Sequence, residues 1–165
     1  MSAAWRFHRV QAIDLAARPE LVFDDHDRLV AHMGKPSLMM AGGSMKVETD
    51  SRRGQAVGSV IRMAGRVLGI PLRLEEVVVD YEPPFRKTWE TCGEPNLLVI
   101  GSYRMGFELT PGSGWTRLRV WIAYDLPSRI PMRWLGRFFG TSYADWCVGE
   151  MIWDARQAFT RQDRT

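Results

Sequence analysis

Apolar and polar residues alternate with a period of two along most of the first 126 positions of the chain. Such alternation is typical of β-strands with one buried face, because successive side chains point to opposite faces. The clearest case is a pair of runs on either side of the turn 111–114, with Tyr103 and Phe107 on one face of the first run and Leu118 and Ile122 on the matching face of the second. The pattern predicts seven strands, at 5–15, 44–51, 55–65, 71–81, 85–92, 97–109 and 116–126.

The remaining apolar residues recur with helical spacing. A short helix is predicted at 19–33, directly after the first strand. After the last strand the pattern predicts two helices, a short one at 131–139 that ends at Gly140 and a long one from 142 to about 161. The predicted order is therefore a strand, a helical segment, six strands and a helical C-terminal region.

The composition is that of a folded protein with a large core. Of the 165 residues 45% are hydrophobic, and seven are Trp. Cys92 and Cys147 do not form a C-x-x-C pair, and the N-terminus becomes charged before any apolar run could act as a secretory signal. The purely apolar stretches, of which 97–100 is an example, are far shorter than the roughly 20 residues that span a bilayer. We therefore expect a cytoplasmic protein with reduced thiols.

The charge of the chain is nearly balanced, with 22 basic and 19 acidic residues and a net charge of +3. This excess is too small for the long phosphate-binding surface of a dedicated nucleic-acid binder, so we expect no nucleic-acid partner. Three of the arginines, Arg129, Arg133 and Arg137, recur every four residues among the aromatics of segment 129–139. A helix of this kind suits a weak interfacial membrane contact. A solvated basic face packed through its aromatics is the alternative interpretation.

Three stretches of the chain resemble those of one known superfamily. They are IDLAARPELVF at 13–23, EEVVVDYEPPFRKTW at 75–89 and YADWCVGEM at 143–151. These stretches resemble, in turn, the first strand and helix, the central hairpin and the opening of the grip helix in the SRPBCC superfamily, whose helix-grip fold is shared by START lipid-transfer domains, Bet v 1-like proteins and polyketide cyclases. The resemblance implies one α+β domain over residues 1–165, with a core at about 5–160. In it, a seven-stranded curved antiparallel sheet wraps around a long C-terminal helix.

The resemblance also implies an apolar cavity between sheet and helix that binds a hydrophobic small molecule, but it carries over no catalytic residues. A curved sheet cannot press its whole concave face against one helix of about 10–12 Å diameter, so side chains or a ligand must fill the space. An ordinary sealed core is the alternative. The candidate lining residues are Trp89, Tyr103, Met105, Phe107, Ile122, Tyr124, Cys147 and Met151.

A few polar residues are candidates for orienting such a ligand. Arg9 and Gln11 share the inward face of the first strand. Glu75 and Glu76 are consecutive in a strand, so one of them must face inward if that side of the sheet is covered. Which of the two does so depends on the strand register, and Glu76 is included among the possible polar residues of the cavity. A buried carboxylate would have a raised pKa and could act as a general acid or base. A cross-strand ion pair with an arginine is the alternative.

The acidic cluster Asp24–Asp27, with His26 and the more distant His32, does not predict a metal site. The three acids are adjacent and the two histidines are six residues apart, so their side chains do not converge. No glycine-rich phosphate loop, nucleophile elbow or paired-cysteine motif is present in the sequence. The sequence therefore predicts no metal and no cofactor.

Together these features predict a protein that binds a hydrophobic or amphipathic small molecule such as a lipid, quinone or polyketide. Transport of that molecule is an extension of the same hypothesis. An enzyme of the polyketide cyclase or dehydratase type is the first alternative. A stress-response or chaperone-activator protein that acts through a partner is the second. The sequence is compatible with a monomer or a homodimer.

Overall fold

The structure is a computed structural model that describes residues 5–27 and 45–160. Within these residues the chain forms one seven-stranded antiparallel sheet in the order β1-β7-β6-β5-β4-β3-β2, with two helices. The strands are β1 (Phe7–Leu15), β2 (Met45–Thr49), β3 (Val60–Val67), β4 (Ile70–Glu82), β5 (Arg86–Asn96), β6 (Tyr103–Pro111) and β7 (Thr116–Tyr124), and the helices are α1 (Pro19–Asp27) and α2 (Ile130–Thr160). This is the predicted α+β architecture.

The alternation of the sequence produces the two faces of the sheet. On β6, Tyr103, Met105, Phe107 and Leu109 are buried, and Glu108 between them is exposed. Phe107 lies opposite Val120 of β7, which is also buried, so the matching faces of this hairpin coincide as predicted. The inner face can be read from the sequence here because a shift of one residue would turn every apolar side chain to solvent.

Two predicted strands begin five or more residues later than expected. β3 starts at Val60 rather than at 55, because the preceding residues form a turn in which the Arg52 guanidinium donates to the carbonyls of Val57 and Gly58. β6 starts at Tyr103 rather than at 97, since β5 continues to Asn96 and the chain must then cross to the next strand. The predicted helix at 19–33 is α1 as far as Asp27, and its remainder lies outside the described residues.

The prediction of two C-terminal helices is wrong. α2 runs without interruption from Ile130 to Thr160. Gly140 does not end a helix but allows close packing, because a Cβ on it would lie 3.0 Å from the carbonyl oxygen of Val99. At Gly136 the corresponding distance to the same oxygen is 2.7 Å. The two glycines therefore lie where the helix meets the backbone of the segment before β6.

The core lies between the concave face of the sheet and the helices. α2 packs chiefly on β1 and β7 and buries a stripe of Ala144, Val148, Met151 and Ala155. Two of these four residues are alanines, and their small side chains allow the helix to approach the sheet closely. α1 adds Val22 and Phe23 to the same cluster. Neither described helix is long and apolar enough to cross a membrane.

Candidate functional site

A row of polar and aromatic side chains crosses the inner face of the sheet. Glu76 of β4 lies opposite Thr91 of β5, and Tyr103 of β6 lies opposite Tyr124 of β7. The two pairs are linked because the backbone N–H of Tyr103 donates to Oγ1 of Thr91 over 3.1 Å. The row therefore spans four neighbouring strands and places a carboxyl, a threonine hydroxyl and two phenols near one another.

Glu76 is the most unusual member of this row. It is 0% exposed, between the buried Leu74 and Val78 on the inner face of β4. The Tyr103 hydroxyl donates to its Oε1. Its other oxygen, Oε2, has no hydrogen-bond partner of ordinary geometry among the described residues, although the Trp89 indole N–H is close enough to the carboxyl to lower its pKa. A buried oxygen without a partner costs free energy, so this site favours either a proton or an additional polar group.

Burial raises the pKa of Glu76 from 4.5 to about 7. The hydrogen bond from Tyr103, the charge of Lys87 and the indole of Trp89 oppose this rise, but they do not cancel it. At neutral pH the carboxyl is therefore present in both forms. The protonated form can donate from Oε2 to a carbonyl oxygen, and the ionised form can accept there from a hydroxyl or amine.

Lys87 is a second buried charged residue on the inner face, and the sequence reasoning did not identify it. It is 4% exposed, and its Nζ lies 5.7 Å from the ring centroid of Tyr81. A signal was present in the sequence, because the alternation in β5 places residue 87 on the same face as the inward Trp89. Its charge acts on Glu76, whose pKa it lowers.

α2 contributes Tyr143 and Cys147, which lie one helical turn apart and share a hydrogen bond. The neighbouring Cys147 and burial together hold the pKa of Tyr143 well above its ordinary value. Burial, with a contribution from the charge of Glu76, raises the pKa of Cys147 to about 12. The thiol thus stays protonated at neutral pH and is a poor nucleophile. Sequence analysis missed Tyr143, because the predicted break before 142 placed it in the first turn of a separate helix.

The eight predicted lining residues lie in or against a common cluster of buried side chains. Trp89, Tyr103, Met105, Phe107, Ile122, Tyr124 and Met151 are buried, and Cys147 is half-buried and packs against them. The rings of Trp89 and Phe107 meet edge to face at 6.4 Å, and those of Phe23 and Phe107 do so at 5.5 Å. The structure thus brings the predicted set together around the row formed by Glu76, Thr91, Tyr103 and Tyr124. The binding role of these residues remains a prediction.

Arg9 and Gln11 lie elsewhere, at the β1 edge of the sheet. They share the face of Phe7 and Ile13, as predicted, but they contact α2. Arg9 Nε lies 3.3 Å from Oδ1 of Asp145, and Gln11 Nε2 donates to the Asp145 carbonyl over 3.4 Å. β1 is four strand positions from β4, so these two side chains are not brought to Glu76.

The neighbouring Glu75 faces outward. Its Oε2 accepts from Arg62 Nε of β3 over 2.7 Å, so the cross-strand ion pair exists, but it is formed by the outward glutamate. Among the described residues, no group of three His, Cys, Asp or Glu side chains could hold a metal ion. The acidic segment that follows Phe23 lies largely outside the side chains that the structure describes.

Known structures with this architecture have very different sequences. The chain matches an aromatase/cyclase from a Streptomyces species with 13% identity and a TM-score of 0.66, over 96% of each chain. It matches a norcoclaurine synthase from Thalictrum flavum with 11% identity and a TM-score of 0.66, over 95% of this chain and 96% of that one. Ara h 8.0201 matches at 8% identity and a TM-score of 0.61, over 94% and 98%. The chain adopts the helix-grip fold.

The helix-grip likeness extends over nearly the whole chain, which agrees with the resemblance found in the three sequence stretches. No family model matches the sequence, and no curated protein matches it. At identities this low, similarity of structure establishes the fold only, and the function must be argued from the side chains of the site.

Proposed function

We propose that this helix-grip protein binds a hydrophobic or amphipathic small molecule, such as a lipid, quinone or polyketide, between the concave face of its sheet and α2. The apolar part of the ligand contacts the aromatic and aliphatic side chains around Phe107. Its polar group meets Glu76. The binding site is thus the region in which Glu76, Tyr103, Tyr143 and Cys147 influence one another electrostatically.

The observation that carries this proposal is the buried carboxyl of Glu76 with its unpartnered Oε2. If this position served stability alone, an apolar side chain of similar size would be favoured, because it would avoid the cost of desolvating the carboxyl. A small number of polar groups in apolar surroundings is instead typical of ligand sites, where they orient the bound molecule. Perturbed pKa values are also concentrated at functional sites.

The structural neighbours support the same conclusion. A point mutant of the norcoclaurine synthase is described in complex with a transition state analogue, so a protein of this fold can hold a bound ligand. Another neighbour is named as an aromatase/cyclase, and such an activity requires a bound substrate. These comparisons favour ligand binding as the general function of the present chain.

Native mass spectrometry of the gently purified protein tests the proposal directly. We expect an additional mass that is lost on denaturation and that corresponds to one small molecule per chain. Thermal unfolding with added palmitate, menadione or 1-anilinonaphthalene-8-sulfonate should show a shift that rises with concentration, because a ligand that binds only the folded state stabilises it. If no mass is retained and none of these probes shifts the melting temperature, the interior is a sealed core and the proposal is wrong.

The role of Glu76 can be separated from binding in general with the variants Glu76→Gln and Glu75→Gln. A quinone such as menadione offers only carbonyl acceptors, so the wild type should bind it more weakly as the Glu76 carboxyl loses its proton near its pKa of about 7. Glu76→Gln keeps an N–H donor at every pH and should show no such decline. Glu75→Gln changes the outer face of the same strand and should behave like the wild type. Identical pH profiles for all three proteins would exclude Glu76 from ligand contact.

An enzyme of the cyclase or dehydratase type is the second candidate, and the pKa of Glu76 favours it. A general base is most effective when its pKa lies near the working pH, and that of Glu76 is about 7. The ionised carboxyl could remove a proton from the carbon between two carbonyl groups, and the resulting enolate could take up a proton from the same acid. Deuterium exchange into an acetoacetyl thioester in deuterated buffer tests this step. Exchange that is no faster with the wild type than with Glu76→Gln would exclude it.

A further inference from the structure

The first turns of α2 expose an unusual amount of apolar surface. Ile130 is 74% exposed and Phe138 is 70% exposed. We define the α2 strip as these two residues together with Trp134, Leu135 and Phe139, all of which are exposed. Their spacing of three to five residues places them side by side along one flank of the helix. The ring of Trp134 stacks on that of Phe138, with centroids 6.4 Å apart.

A row of arginines runs beside the α2 strip. Arg129, Arg133 and Arg137 follow one another at four-residue intervals, and all three are exposed. The guanidinium of Arg137 lies 5.7 Å from the ring centroid of Trp134, so the arginine row and the apolar strip are in contact. Residues 126–144 contain these three arginines and no acidic residue. This segment therefore has a local charge of +3.

The strip is fixed to the body of the protein by its opposite side. Gly136 and Gly140 are buried against the Val99 carbonyl, as described above, and Thr141 forms a 3.2 Å hydrogen bond with the Tyr124 hydroxyl. The apolar side chains consequently project from a supported helix rather than from a loose end. Such a surface can bind without first being ordered, which removes one cost of association.

We propose that the α2 strip docks on the surface of a lipid bilayer that contains anionic lipids. Apolar and aromatic side chains on one flank of a helix, with arginines beside them, are the elements of an interfacial helix that lies in the plane of the membrane. Trp134, Phe138 and their neighbours would enter the boundary between head groups and acyl chains. The arginine side chains would lie along that boundary and bring their guanidinium groups to lipid phosphates.

The charge pattern favours a membrane over a second copy of the chain. In a two-fold symmetric dimer built on the strip, each arginine row would approach the same row of the partner copy, with no acid between residues 126 and 144 to neutralise it. An anionic bilayer presents the opposite charge to all three arginines at once. Membrane docking of the α2 strip does not require the ligand site. Because Phe139 is one helical turn before Tyr143, docking would also hold the region around Glu76 close to the membrane.

Vesicle flotation provides the test. The full chain is mixed with vesicles of phosphatidylcholine alone, or with vesicles containing roughly 30% phosphatidylglycerol. We expect the protein to float with the anionic vesicles, to bind the neutral vesicles much more weakly, and to lose binding as salt is raised.

Three variants separate the contributions. Trp134→Ser/Phe138→Ser removes the two stacked aromatics, and Arg129→Gln/Arg133→Gln/Arg137→Gln removes the charges. Each arginine should contribute about fivefold to the partition coefficient, so the triple variant should lose on the order of a hundredfold. The matched control, Arg18→Gln/Arg66→Gln/Arg73→Gln, removes three charges at exposed positions elsewhere and should retain most of the binding. All variants change exposed side chains, and their melting temperatures are expected to stay within a few degrees of the wild type.

Depth of insertion is read from Trp fluorescence. Brominated acyl chains should quench the wild type more than a Trp134→Phe variant, because Trp134 is the tryptophan that enters the bilayer. Absence of binding to anionic vesicles would overturn the proposal. It would also be overturned if the wild type, the aromatic double variant and the triple variant of Arg129, Arg133 and Arg137 bound equally well. Sedimentation velocity that shows a dimer in the wild type and a monomer in Trp134→Ser/Phe138→Ser, without vesicle binding, would assign the strip to a second copy. Capture of a protein partner by the α2 strip, without vesicle binding, would also overturn the proposal of membrane docking.

Discussion

The two halves of α2 use their apolar side chains in opposite ways. From Thr141 onwards the helix buries Ala144 and Val148 against the sheet, and Tyr143 and Cys147 lie near the carboxyl of Glu76. Between Ile130 and Gly140 the helix packs against the protein through Gly136 and Gly140, and its largest apolar side chains are exposed to solvent. The first half of the helix thus exposes the α2 strip, for which we propose membrane docking, while the second half covers the interior. Substitutions in the two halves should therefore have different effects.

The largest contrast is expected from the same substitution in the two environments. Phe107 is 0% exposed and in contact with the rings of Phe23 and Trp89, so Phe107→Ala should destabilise the protein by about 3–5 kcal/mol through lost burial and a cavity. Phe138→Ala on the α2 strip should change stability by less than about 0.5 kcal/mol. Urea denaturation measures both. Similar losses for the two variants would mean that Phe138 is covered within the protein, and the contrast between the halves would fail.

The buried carboxyl under the second half should make stability depend on pH. Below pH 4.5 Glu76 is neutral in both the folded and the unfolded chain. Between 4.5 and about 7 the unfolded chain ionises while the folded protein keeps its proton, so stability falls as pH rises. Above about 7 the full penalty, about 3 kcal/mol, is present.

Replacing Glu76 with Gln should remove this penalty. Relative to the wild type, Glu76→Gln should gain about 3 kcal/mol of unfolding free energy as pH is raised from about 4.5 to about 8. Glu75→Gln is the control, because it removes an outward carboxyl paired with Arg62, and its difference from the wild type should stay within about 1 kcal/mol. Parallel curves for the wild type and Glu76→Gln would show that the interior solvates this carboxyl.

A smaller effect separates the glycines of the two halves. A Cβ at Gly136 would lie 2.7 Å from the Val99 carbonyl oxygen and 2.9 Å from Cδ of Pro127, so Gly136→Ala should destabilise by about 1–3 kcal/mol despite its better helix propensity. At Gly149 the nearest atom would be Nε2 of Gln11 at 3.6 Å, which is an ordinary contact. Gly149→Ala should therefore stabilise by up to about 1 kcal/mol. Thermal unfolding compares the two. A stabilising Gly136→Ala would show that the first half is not held tightly to the segments around Val99 and Pro127.

Much of the fold follows from local pattern. The alternation identified all seven strands and the inner faces of β6 and β7, because a half-buried strand needs a period of two along its own length. The buried positions of Trp89, Phe107 and Tyr124 were predicted in the same way, and their role in lining a ligand site stays a prediction. Lys87 could have been found too, since its position in the alternation of β5 is inward, but a lysine is rarely buried and was therefore not expected there.

What the sequence alone determined about this protein is the seven strands with their order along the chain and most of the side chains that face its interior. The tertiary structure decided the rest. Gly140 could end a helix or allow one to pack closely, and only the approach of Val99 shows that it does the second. The registers of β4 with β5 and of β5 with β6 bring Tyr103 to Glu76, and the register of β3 with β4 places Glu75 beside Arg62 on the outer face. Helical spacing groups apolar residues on a flank but cannot say which flank a sheet covers. Burial and pairing depend on distant parts of the chain, and these contacts exist only once it has folded.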